Sequence, residues 1–192
     1  MKWIALIIVL IIGPYTFLRW HYRKPQEAFE PYHDIKDRAN TMRLVSAGFQ
    51  RVTLKSERPA EPARNSAGAA IQLASGGLPS ALATTLVDQP VLVTEILSVS
   101  TPAETNTLFA YSFEFTCGLP DNQHQADNVY LYVREGQIYI VPEIQSLKGE
   151  LLERHRENLI RVTIPAGTLK PGIHEVTVIA ERSSKSWSLE VK

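Results

Sequence analysis

Thr107–Cys117, TLFAYSFEFTC, decides the fold. Its side chains alternate strictly: Phe109, Tyr111, Phe113, Phe115 and Cys117 point one way, Ala110, Ser112, Glu114 and Thr116 the other. A period of two with four aromatics on one face describes a β-strand that supplies much of a core, since each ring buries more apolar area than an aliphatic side chain. Cys117 belongs to the inward row, so it reads as a small buried hydrophobe. It is also the only cysteine, which excludes an intramolecular disulfide.

Strand signals continue on both sides. Upstream, Val91–Val99 is one apolar-rich strand. Downstream, Asn128–Arg134 and Gln137–Val141 flank Glu135-Gly136, a two-residue hairpin turn with glycine taking positive φ. That turn pairs Val133 with Ile138 and Leu131 with Ile140. The opposite face pairs Tyr132 with Tyr139 and Tyr130 with Val141. Leu159–Pro165 is a further strand; Val176, Val178 and Ala180 alternate on the next, and Trp187, Leu189 and Val191 on the last. Short strands with Gly/Pro punctuation predict a sandwich. The stretch IPAGTLKPGIHEVTV followed by SKSWSLEV resembles the final three strands of bacterial immunoglobulin-like and fibronectin-like modules, with His174 where such modules carry tyrosine. The expected fold is therefore a mainly β, immunoglobulin-like/fibronectin-like antiparallel sandwich over residues 71–192.

Ahead of it the composition changes. Ser56–Gly68, SERPAEPARNSAG, has no apolar periodicity and reads as a linker, taken as residues 56–70. Residues 25–55 hold a short helix and the brief strand Arg51–Lys55. The helix starts at Pro31, carries Asp34 near its positive end and stops at Gly48. Its apolar positions Ile35, Ala39, Met42 and Val45 are expected to pack on its own domain, the alternatives being a membrane surface or a partner.

Residues 1–24 are read as a transmembrane anchor and its juxtamembrane segment. Trp3–Leu18, WIALIIVLIIGPYTFL, has no charged residue, and with Trp20 it covers roughly 27 Å as a helix. Trp3, Leu18, Arg19 and Trp20 mark its limits, the tryptophans as interfacial residues and Arg19 snorkelling outward. It lacks the small-residue cleavage pattern of a signal peptide and the early glutamate of a prepilin. The expectation is a single-pass signal anchor, in the lipid bilayer through residues 3–20, with the soluble domain outside the cytoplasm; a scaffold facing the cytoplasm is the alternative, favoured by one charge.

Twenty basic and twenty acidic residues give zero formal charge, which argues against a nucleic-acid binder. No nucleophile elbow, phosphate loop, dinucleotide fingerprint or zincin motif is present, so the reading is non-enzymatic, without cofactor or metal. The histidines, His21, His33, His124, His155 and His174, are scattered, and His155 stands in a charged run. Asp121, His124, Asp127 and Asn128 cluster in LPDNQHQADN but match no calcium-loop spacing. The remaining candidates are Tyr130, Tyr132 and Tyr139, large rigid groups with polar tips that suit a protein partner or, alternatively, a carbohydrate. The simpler reading has residues 71–90 or the helix covering them. The expected function is a membrane-tethered interaction or structural module.

Overall fold

The computed structural model describes Trp3, residues 12–17, Arg19, and residues 31–61, 68–147 and 151–192. Residues 1–35 and 36–192 form two compact units. The elements are α1 (Pro31–Ser46), β1 (Gln50–Glu57), β2 (Gln72–Ser75), α2 (Ser80–Thr85), β3 (Glu95–Ser100), β4 (Glu104–Thr105), β5 (Tyr111–Gly118), β6 (His124–Arg134), β7 (Gln137–Ser146), β8 (Glu157–Ile164), β9 (Gly172–Val178) and β10 (Ser183–Val191).

Eight strands close on themselves in the order β10-β3-β5-β8-β1-β6-β7-β9, with β9 pairing β10 again; β2 and β4 attach to β10. This is a closed barrel, and it corrects the expected immunoglobulin-like sandwich. A sandwich and a barrel share short alternating strands and hairpins. They differ in long-range pairing, and here four pairings complete the ring. β1 lies between β6 and β8. β7 and β9 run parallel, from Gln137 beside Glu175 to Ile140 beside Val178. β10 meets β3 at Ser183 and Glu95, where Glu181 N donates to Val93 O at 2.9 Å and Arg182 N to Thr94 O at 2.9 Å. Parallel neighbours need a crossover, which hairpin spacing does not reveal.

The interior is filled. Phe113 and Phe115 stack at 6.2 Å, and Trp187 meets Phe113 at 5.5 Å. Leu131, Ile138, Ile140, Val162, Val176 and Leu189 close around them. Such packing fits the lumen of a barrel with this strand number, which is just wide enough for side chains. Tyr111 places its hydroxyl in this core, where it donates to Pro102 O at 3.0 Å and accepts from Trp187 Nε1 at 3.3 Å. The inward row of β5 is as expected from Tyr111 to Cys117, but Phe109 departs from it: the strand begins at Tyr111 and Phe109 is 71% exposed.

The β6–β7 hairpin has the register expected from its turn, with Val133 beside Ile138 and Tyr132 beside Tyr139. Glu135 (φ 49°) and Gly136 (φ 81°) both take left-handed backbone, the primed turn that matches strand twist. A second apolar cluster lies on the outer wall. Leu44 of α1, Phe49, Leu82 of α2 and Leu86 pack there on Tyr132, Val141 and Ile179.

No helix among the described residues is long and apolar enough to cross a membrane. This corrects the single-pass transmembrane helix expected over residues 3–20. Trp3, residues 12–17 and Arg19 are helical; Leu18, Trp20 and the remainder of that stretch lie outside the described residues.

Candidate functional site

Three features of the barrel surface bear on function. The first is the turn before β5. Asn106 Oδ1 accepts from Leu108 N at 2.9 Å and Asn106 O from Phe109 N at 3.1 Å, so the asparagine closes the turn on itself. Thr107 N donates to Lys192 O at 3.0 Å, and Gly167 N to Thr107 O at 2.8 Å. This backbone is tied on both sides, and it displays Leu108 at 78% exposure beside Phe109. Alternation reads Phe109 as the start of the inward row; the Asx turn at Asn106 is the signal that ends it.

The second is the tyrosine face. Tyr132 is buried at 2% exposure, while Tyr130 and Tyr139 are half-buried. The guanidinium of Arg51 lies 4.1 Å from the centre of the Tyr130 ring, and its Nη1 is 3.5 Å from Asp37 of α1. Burial pushes the Tyr132 hydroxyl up to about 12. Glu143 of β7 is held nearby, its carboxyl pushed up to about 7 by burial, against the pull of Arg51 and with the negative fields of Asp127, Asp37 and Asp88. α1 is fastened over this face by Asn40, whose Oδ1 accepts from Val87 N at 2.7 Å and Asp88 N at 3.3 Å. Its less exposed positions are Lys36, Ala39, Asn40 and Leu44; Ile35 is 64% exposed and Met42 and Val45 each 68%, which corrects the expectation that the Ile35–Ala39–Met42–Val45 stripe packs on the domain.

The third is a polar groove that composition gave no sign of. Cross-strand register sets Gln72, Ser186, Thr177 and Tyr139 side by side on β2, β10, β9 and β7. The adjacent row is Ser188, Glu175 and Gln137. Their strand neighbours Ile138, Val176 and Trp187 point into the core, so these seven point out. The depression has a volume of about 460 Å³ and is rimmed by Gly136 and by Ile173, which is 76% exposed.

The other sequence candidates separate. His124 Nδ1 bonds Asp121 Oδ1 at 2.6 Å, which lowers the Asp121 carboxyl, and Asn128 Nδ2 donates to Asp127 Oδ2 at 2.9 Å. These are two local pairs, and among the described residues no set of three His, Cys, Asp or Glu converges on a metal position. Cys117 is fully buried, its thiol pushed up to about 12 by burial. His174 faces inward, with Nε2 donating to Lys170 O at 2.7 Å. His155 is exposed, and His21 and the His33 side chain lie outside the described residues.

Comparison with known proteins leaves the function to this geometry: no protein-family model, no curated protein and no solved structure matches the chain.

Proposed function

We propose that the chain is a non-enzymatic interaction module that docks a protein partner through the turn bearing Leu108 and Phe109. The observation that carries this reading is their display, at 78% and 71% exposure, on a backbone fixed by hydrogen bonds on both sides. Interface energy concentrates in a few large anchors that enter pockets of the partner, and a pre-ordered loop loses little entropy on binding. Among the described residues the lumen is packed with apolar side chains, which favours a role carried by the outer surface of the barrel. A bilayer surface is a weaker fit. Lys192, whose carbonyl bonds the turn, is paired with Glu104 at 2.5 Å, whereas anionic lipid attracts clusters of about 4–8 basic residues.

The test is photo-crosslinking in cells making the full chain, with a benzophenone amino acid at Phe109 and, as control, at the exposed Glu57. A discrete protein adduct at position 109 alone is expected. The same label carrying Leu108→Ser should lose the adduct while changing stability by less than ~0.5 kcal/mol. A lipid adduct, or equal labelling at both positions, refutes the proposal.

A further inference from the structure

The groove over β7, β9 and β10 lies apart from that turn in the sheet and has different chemistry. We propose that it is a binding site for a neutral saccharide chain.

The argument is by the groups that face it. Gln72 and Gln137 carry carboxamides, Ser186 and Ser188 hydroxyls; each both donates and accepts hydrogen bonds, as sugar hydroxyls do. Glu175, between Gln137 and Ser188 in register, is an acceptor pair suited to two neighbouring hydroxyls. Ile173, 76% exposed at the rim, offers apolar surface for the C–H face of a pyranose ring, and the half-buried Tyr139 lies in the adjoining shallow depression with Gln137, Glu175 and Thr177. A volume of about 460 Å³ falls within the ~300–1,000 Å³ of small-ligand sites.

Other ligand classes fit less well. The charged residues lining the groove, Glu135 and Glu175, are both negative, which opposes phosphate and other anions. An extended peptide would add to a free strand edge. Here β9 is paired with both β7 and β10, β7 with β6 and β9, and β10 with β9 and β2. Among the described strands the open edge at these rows is the outer side of β2, which is only Gln72–Ser75 long and offers an extended peptide little pairing length, and the floor is too polar for an apolar ligand.

Isotope-labelled full chain is titrated with chitohexaose and, separately, cellohexaose, following backbone amide shifts. The expected result is saturable movement confined to Gln137, Glu175, Thr177, Ser186 and Ser188 with at least one of the two sugars. Glu175→Gln should weaken that binding about tenfold or more, with an unchanged melting temperature. Phe109→Ser should leave it intact, which separates this site from the docking turn. The proposal is overturned if neither sugar moves these amides at about 10 mM, ten times a millimolar Kd. It is equally overturned if the shifts map elsewhere or Glu175→Gln binds as the parent does.

Discussion

Glu143 shows how one side chain ties this fold to pH. Its carboxyl has an ordinary value of 4.5 and is pushed up to about 7 in the folded chain, chiefly by burial. The groups that face it are Arg51 on β1, Asp37 on α1, Asp88, Asp127, and the hydroxyls of Tyr130 and Tyr132; the single cation does not outweigh desolvation and the acids. Between these two values the folded chain holds a proton that the unfolded chain has released, so stability falls as pH rises through this window. The loss is complete above about pH 7. Glu143→Gln removes the ionisation while keeping the shape. Solvent screening at this half-exposed position limits the effect, and the variant should gain about 1 kcal/mol near pH 8, a rise in Tm of ~2–4 °C, with no gain near pH 4. Melting curves at the two pH values check it, and parallel curves would refute the assignment.

Among the elements, α1 divides what the sequence reveals from what it hides. Its existence and its end were legible: Gly48 takes φ 79°, and Phe49 N donates back to Leu44 O at 2.8 Å. The β6–β7 hairpin was equally legible, because Glu135-Gly136 fixes the register locally. The buried face of α1 was not. Hydropathy favours Ile35, Ala39, Met42 and Val45, yet the buried face includes Asn40, which is 6% exposed. An asparagine is stable there because it satisfies two backbone N–H groups 47 and 48 residues away, a partnership no local pattern encodes. Asn40→Ala strands both donors and should cost about 1–3 kcal/mol in denaturant titration. It should also speed hydrogen exchange at the Val87 and Asp88 amides; unchanged exchange there would mean that Asn40 is not the fastening.

At the scale of the molecule, the strands were legible and their closure was not. Alternation locates β5, β8, β9 and β10, but the neighbours of β10 are scattered over the chain: β2, β3, β4 and β9 all pair with it. Gly76 guards this junction. It reads as part of a turn, but a Cβ there would overlap the Glu181 carbonyl oxygen and the Arg182 carbonyl group, both backbone and unable to swing aside. Gly76→Ala should therefore cost ~1–3 kcal/mol, as overpacking does, and should expose the Glu181 and Arg182 amides at the β10–β3 seam. Stability at the parent level would show that the seam yields freely. The place of β10 in the ring also governs birth of the protein. A nascent chain that has emerged from the ribosome through β9 has its aromatic strand β5 already made and no partner to shut the cylinder over it. Folding of the barrel waits for translation of Ser183–Val191, and until then the rings of Phe113 and Phe115 are surface for a chaperone to hold.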